Sequence, residues 1–192
     1  MEKYIRSHII SHIETAEKLL SDRSVLDPVE KAATSIIKAF SSHSKLLLAG
    51  NGGSAADSQH IAAEFVNRFY IDREGLPALA LTTDTSIITA VGNDYSFDRV
   101  FSRQLASLGK EGDIFWALST SGNSVNILEA LAECRKKGII SLGFTGARGG
   151  RMEGSCDILI KVPSDETPRI QEMHILLAHV ICAIVEKELF KK

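Results

Sequence analysis

Lys45 to Phe65, KLLLAGNGGSAADSQHIAAEF, is the stretch that most narrows what this chain can become. Lys45-Leu46-Leu47-Leu48-Ala49 is a short continuous apolar run, the pattern of a parallel strand buried on both faces. Gly50-Asn51-Gly52-Gly53 breaks it with residues that reach left-handed backbone angles at little steric cost. Ser54 is then placed to cap a helix, and Ala55 to Phe65 continues with good helix formers. At such a strand–turn–helix junction a polar ligand meets free backbone N–H groups and the positive end of the helix dipole. His60 and Glu64 follow, four apart on one face of the helix.

The rest of the chain repeats this logic. Tyr4, Ile5, Ile9, Ile13, Ala16 and Leu19-Leu20 recur at helical spacing over residues 2–21, and a second helix is expected to follow Pro28. The first helix precedes the first strand and is not needed for a βαβ unit, so it is a candidate subunit contact. His8 and His12 stand four apart on it, with no third ligand nearby in sequence, and read as a solvated face. Leu76 to Thr82 reads as the second strand, with Pro77 at its start. Short helices are expected over Thr85 to Val91, ending before Gly92-Asn93-Asp94, and over Phe97 to Leu108. Asp113 to Leu118 is the third strand, Val125 to Lys137 a helix with Gly138 as its C-cap, and Ile139 to Phe144 the fourth strand. Asp157 to Val162 is the fifth, and Pro168 suits the first position of a last helix reaching about Phe190. Strands alternating with helices, and apolar throughout, predict an α/β sandwich around a mainly parallel five-stranded sheet. One domain is expected over 1–192, its helices at 1–43 preceding an α/β core at 44–192. The loops at 50–54 and 119–124 both follow strands directly and should face one crevice beyond the carboxyl ends of the sheet.

Composition excludes several classes. A net charge of −2 and a pI near 6.3 give no electrostatic footprint for nucleic acid. Apolar content of 44% and charged content of 24% are those of a soluble globular protein. Met1-Glu2-Lys3-Tyr4 leads into no apolar signal segment, and no run of about 18 apolar residues stands out, so a cytosolic protein with no membrane partner is expected. Cys134, Cys156 and Cys182 are far apart with no CxxC, which indicates neither a disulfide framework nor a thiolate zinc site.

Ser119-Thr120-Ser121-Gly122-Asn123-Ser124 packs four hydroxyls into six residues at a strand-to-helix turn. A phosphate wants several donors converging on its oxygens, and hydroxyls, loop amides and a helix N-terminus supply them without a cation. An ordinary capped turn also favours Ser and Asn, but four hydroxyls exceed what one cap needs. The Walker lysine and the GxGxxG fingerprint are both missing, which argues against nucleoside triphosphates and NAD. His60 and Glu64 alone are a weak signal. The final helix adds Gln171, Glu172, His174 and His179. At ~100° per residue, Gln171 and His179 differ by roughly 80° around the helix and Glu172 and His179 by only about 20°, so geometry alone prefers Glu172 as the partner of His179. His179 also lies in an apolar run, where a hydrogen-bonded core histidine is the alternative.

Asn51-Gly52-Gly53-Ser54, His60-x3-Glu64, Val91-Gly92-Asn93-Asp94, the serine loop and Arg169-Ile170-Gln171-Glu172-x-His174-x4-His179 occur in that order. Together they resemble the SIS sugar-isomerase family, and within it the phosphoheptose isomerases, over essentially the whole chain. The resemblance implies a flavodoxin-like αβα sandwich assembled as a homotetramer, with active sites between subunits. It implies conversion of sedoheptulose 7-phosphate to D-glycero-D-manno-heptose 7-phosphate, the first step towards the ADP-heptose of lipopolysaccharide. Carried over residue by residue, it makes Ser119, Thr120, Ser121 and Ser124 the phosphate cradle, with Asn51, Gly52, Gly53, Ser54, Asn93 and Asp94 along the sugar chain. It makes His60, Glu64, Gln171 and His179 ligands of one Zn2+ per subunit, with Gln171 in place of Glu172, and sets Glu64 and Gln171 against the substrate. One departure stands out: some members carry an aspartate where this chain has Pro168, and Asp165 or Glu166 is the candidate substitute.

Ketose–aldose isomerisation moves a proton between C1 and C2 through an enediol, and needs a base at carbon, an acid at oxygen and exclusion of water. Glu64 is the candidate base and His179 the candidate acid. The competing reading is a non-catalytic SIS-fold regulator, which binds a sugar phosphate or the replication initiator. Such proteins can lose the acid/base pair, and this chain has both members. Arabinose 5-phosphate isomerase is disfavoured, because 192 residues leave no room for its usual appended regulatory domains.

Overall fold

The alternation of apolar runs and amphipathic segments becomes, in a computed structural model describing residues 1–191, a parallel sheet sandwiched between helices. Among the described residues the strands are β1 (Leu46–Gly50), β2 (Ala78–Ala80), β3 (Ile114–Leu118), β4 (Ile140–Thr145) and β5 (Ile158–Lys161). The helices are α1 (Glu2–Ser21), α2 (Arg23–Ser41), α3 (Gly53–Val66), α4 (Thr85–Asp94), α5 (Val100–Leu108), α6 (Val125–Lys137) and α7 (Thr167–Leu189). All neighbouring strands pair in parallel in the order β2-β1-β3-β4-β5. The order reverses between β1 and β3, the switch point beyond whose carboxyl ends sheets of this kind bind ligands. The register sets Gly50 beside Leu118, so the glycine and serine loops leave the sheet side by side.

Alternate residues of each strand feed two cores. Leu46, Leu48, Trp116 and Phe144 point to the layer of α2, α3 and α7, while Leu47, Ala49, Phe115 and Ala117 point to that of α5 and α6. Every residue of β1 and β3 is buried, as unbroken apolar runs demand. Helix α7 is long and apolar enough by composition to cross a membrane, but half of its most apolar window is buried inside the protein. It is the central helix of one layer.

Four boundaries differ from expectation. Helix α2 begins at Arg23, before Pro28, because Asp22 caps it by accepting from the Ser24 N–H at 2.9 Å. Pro28 therefore lies inside the helix and leaves the Ser24 carbonyl without its usual donor. Strand β2 is only three residues long, an edge strand whose Leu79 stays exposed. Helix α4 continues through Gly92, Asn93 and Asp94 instead of stopping before them. Phe97–Arg99 forms a 3-10 turn, and the α-helix proper starts at Val100.

Candidate functional site

The glycine loop puts its own backbone, not a serine, at the head of α3. Helix α3 starts at Gly53, and Gly52 occupies the cap position with φ +56°, so no side chain caps this end. Ser54, expected as the cap, is instead buried in the first turn, where its carbonyl accepts from Ser58 Oγ at 2.8 Å. Asn51 and Asn126 exchange two side-chain amide hydrogen bonds, at 2.9 and 2.8 Å. That pair ties the glycine loop to the first turn of α6. Asn126 carried no signal in the sequence beyond its position in a helix, and it closes the side chain of Asn51.

The serine loop is likewise left open. Ser124 stands at the cap position of α6 but makes no capping hydrogen bond; its Oγ lies 2.9 Å from Ser119 Oγ. The hydroxyl that an ordinary turn would spend on the helix is turned into the loop. Ser119 is buried at 4% exposure, while Ser121 is exposed and accepts from the Asn123 N–H at 3.2 Å. Thr120, Ser121 and Asn123 line a cavity of about 260 Å³ together with Arg148, Asp165 and Thr167. Arg148 Nε and Asp165 Oδ1 pair across its rim at 3.1 Å. Arg148 follows β4 in a glycine-rich stretch that carries no motif in the sequence, and Asp165 stands three residues before Pro168.

Gly122 locks this loop to the next one. Its φ is +65°, and a Cβ there would lie 2.0 Å from the Gly149 carbonyl oxygen. Only glycine allows that approach.

Helices α3 and α7 run side by side in the same direction. At their amino ends, a Cβ on Gly53 would lie 2.5 Å from Gln171 Nε2. Further along, His60 Nε2 lies 2.9 Å from His179 Nε2 and 3.2 Å from Glu64 Oε1. One ligand atom from each of His60, Glu64 and His179 falls within 4.8 Å of the others, a group able to hold a metal ion. Two imidazole nitrogens at tetrahedral positions about 2.0–2.1 Å from one zinc ion would be roughly 3.3 Å apart, so the donor set fits with a small adjustment. His179 is only partly buried, which sets aside the core-histidine alternative. The fully buried histidine is His174, whose Nε2 faces the Thr145 carbonyl at 3.3 Å and whose Nδ1 has no partner among the described residues. Burial pulls its pKa down to about 4, against a smaller opposing effect of that hydrogen bond.

Gln171 lies eight residues before His179, about 12 Å along the axis of α7, and stays beside Gly53 within its own chain. Glu172, preferred on helical angle alone, turns away from His179. Its Oε2 lies 2.7 Å from His12 Nδ1 and its Oε1 2.5 Å from an Arg169 nitrogen, so it fastens α1 to α7. His12 is correspondingly paired, not a free surface residue. Asn93 and Asp94 bond to each other at 2.9 Å on the exposed last turn of α4. Asp57, one turn before His60, has its carboxyl pushed up by burial against the opposing charge of His60, and its Oδ2 has no hydrogen-bond partner among the described residues. The three cysteines are free, and burial pushes the Cys156 and Cys182 thiols up to about 12, so none is a thiolate candidate.

The profile of the SIS domain matches residues 11–146. A phosphoheptose isomerase of Aneurinibacillus thermoaerophilus is 59% identical over 191 residues, covering 100% of this chain and 96% of that protein. Phosphoheptose isomerase 2 of Campylobacter jejuni is 55% identical over 192 residues, at 100% and 96% coverage. The structure of a phosphoheptose isomerase from Neisseria gonorrhoeae superposes with a TM-score of 0.90 at 39% identity, covering 97% of this chain and 98% of that one. One from Francisella tularensis gives 0.92 at 36% identity, with 96% and 97% covered.

Proposed function

The chain belongs to the SIS family and, within it, to the phosphoheptose isomerases, and on that premise we propose that it interconverts sedoheptulose 7-phosphate and D-glycero-D-manno-heptose 7-phosphate through an enediol. The observation that carries the proposal is the cluster of His60, Glu64 and His179, which supplies a carboxylate and imidazoles at one place on a fold whose serine loop is left uncapped. A regulator that only binds a sugar phosphate has no use for such a cluster.

In this reading the hydroxyls of Ser119, Thr120, Ser121 and Ser124, with the open amide end of α6, hold the phosphate. Asn51, Gly52, Gly53 and Ser54, with Asn93, Asp94 and Gln171, line the sugar chain. Glu64 takes the C1 proton and returns it to C2, and His179 exchanges protons with the two oxygens. His60, Glu64 and His179, with Gln171, would hold one zinc ion per subunit, and zinc would supply polarisation of the ketose carbonyl. A carboxylate bound tightly to zinc is a poorer base, so Glu64 would act at carbon only when it is not a ligand.

The sites are completed between subunits of a homotetramer. His60 and Glu64 stand about 10 and 16 Å along α3 from Gly53, and Gln171 is about 12 Å from His179 along α7. A site assembled from two chains removes both separations. The outer face of α1 supports assembly, since Tyr4, Ile5, Ile9, Ile10 and Ile13 are 48–70% exposed. The protein acts in the cytoplasm on a small soluble substrate, with no nucleic acid or membrane partner, and its product enters ADP-heptose synthesis for lipopolysaccharide. Incubation with sedoheptulose 7-phosphate and with shorter ketose phosphates tests the activity. An aldose product from the seven-carbon substrate is expected, and no product from any of them overturns the proposal.

A further inference from the structure

Arg73 and Glu186 form an ion pair buried to 2% and 4% side-chain exposure, with Arg73 Nε 2.9 Å from Glu186 Oε1. Every arm of the pair is used. Glu186 accepts from the backbone N–H groups of Phe69 at 2.9 Å, Tyr70 at 2.7 Å and Ile71 at 3.2 Å. Burial raises its pKa, but these donors and Arg73 outweigh that and hold it below the usual carboxylate range. Arg73 donates to the carbonyls of Phe65 at 2.8 Å, Glu74 at 2.9 Å and Glu64 at 3.0 Å. The Glu64 and Phe65 carbonyls belong to the last turn of α3, whose carbonyls lack an intrahelical donor.

Two of these contacts lead to the cluster. The Glu64 carbonyl belongs to the residue whose side chain faces His60. Phe69, whose N–H Glu186 holds, sets its ring 5.6 Å from the His179 ring, centroid to centroid. Glu186 itself lies seven residues past His179, nearly two turns along the same face of α7.

We propose that Arg73 and Glu186 are positioning residues for the isomerase site: one buried pair fixes Glu64 through its backbone carbonyl and His179 through the ring of Phe69. The inference rests on the assignment of Glu64 and His179 made above. A buried ion pair is poor evidence for stability, because apolar replacements of similar volume often hold a fold as well. What such replacements lack is the fork that joins two carbonyls at the end of α3 to a carboxylate on α7. The pair defines a separation between α3 and α7, and acid–base transfer is sensitive to misplacement on the scale of 1 Å.

The test uses Glu186→Gln, Arg73→Lys and Phe69→Leu in the full chain, each checked for its oligomer and melting temperature. Turnover and KM are measured with sedoheptulose 7-phosphate, and zinc affinity with buffered zinc alone. Glu186→Gln and Arg73→Lys should lower kcat and weaken zinc binding by about 10- to 100-fold each, with KM within about twofold because the serine loop is untouched. Phe69→Leu keeps the ion pair and removes only the ring, and should move kcat and zinc affinity the same way at an unchanged melting temperature. If the ion-pair variants fail to fold, Phe69→Leu decides alone. Wild-type kcat and zinc affinity in Phe69→Leu, or in folded Glu186→Gln with only a lower melting temperature, overturns the positioning role. A Glu64→Gln control separates the levels: lost turnover there beside normal turnover in the other variants overturns this inference alone. Normal turnover in Glu64→Gln overturns the assignment beneath it, and the positioning role with it.

Discussion

His60 and His179, 119 residues apart in sequence, bring their Nε2 atoms to 2.9 Å, with a Glu64 oxygen 3.2 Å from the first. Two imidazole nitrogens that close share either a proton or a cation. The purified protein is expected to hold close to one zinc ion per chain, since two imidazoles and a carboxylate suit zinc. Elemental analysis of wild type beside His60→Ala checks this. Loss of metal in the variant is expected; chelator-free wild type that is fully active without zinc would reduce these residues to acid–base and orienting roles.

The serine loop should govern binding more than chemistry. Ser119→Ala or Ser121→Ala removes a hydroxyl donor, and a hydrogen bond to a charged group contributes ~1.5–3 kcal/mol. Each change is expected to raise KM by about 10-fold or more with the fold intact. Steady-state kinetics of the double variant decide it, and an unchanged KM would remove the loop from phosphate binding.

Two glycines, one in each of the loops that follow β1 and β3, should respond differently to the same substitution. Gly122→Ala places a Cβ at φ +65° and 2.0 Å from the Gly149 carbonyl oxygen, so backbone must move. The left-handed conformation alone costs about 1–2 kcal/mol, a fall of about 2–8 °C in melting temperature for a chain of this size, and KM should rise as the loop shifts. Gly53→Ala meets only the flexible end of Gln171, so its melting temperature should change less. Equal effects in thermal melts would contradict the interlocked-loop account.

His174 gives the fold an acid-side liability. Its imidazole titrates near 4 in the folded protein against 6.5 ordinarily, so between those values the unfolded chain binds the extra proton. Stability from this residue is complete above about 6.5 and is lost as pH falls towards 4, by about 3 kcal/mol in all. His174→Gln, which keeps a donor for the Thr145 carbonyl, should flatten the pH dependence of the melting temperature across that window. An unchanged slope would assign the acid sensitivity to other groups.

Much of this was legible in the sequence because strong local signals agreed with the global fold. Unbroken apolar runs gave β1 and β3, and Gly138, with φ +67°, ends α6 as a left-handed cap where expected. The boundary errors arise where a neighbour outweighs a local preference: Asp22 starts α2 upstream of Pro28, and Gly52 displaces Ser54 as the head of α3. Helical angle favoured Glu172 over Gln171, and the structure spends Glu172 on His12 and Arg169. His12 lies 160 residues away in the chain, and such a partner leaves no periodic trace. Asn126, Arg148 and the Arg73–Glu186 pair were illegible for the same reason, since each acquires its role only through a tertiary contact.

The central claim is that Glu64 is the base of an enediol isomerisation, and one variant tests it. Glu64→Gln keeps the size and hydrogen-bonding capacity of the side chain and removes the basic carboxylate. Turnover of sedoheptulose 7-phosphate in D2O is followed for wild type and variant at matched zinc content. In wild type, solvent deuterium is expected at C2 of the aldose, because the base exchanges its proton with water. In the variant kcat should fall by ~10²–10⁴-fold with KM largely preserved and the oligomer intact. Near-normal turnover in Glu64→Gln at unchanged metal content would contradict the account.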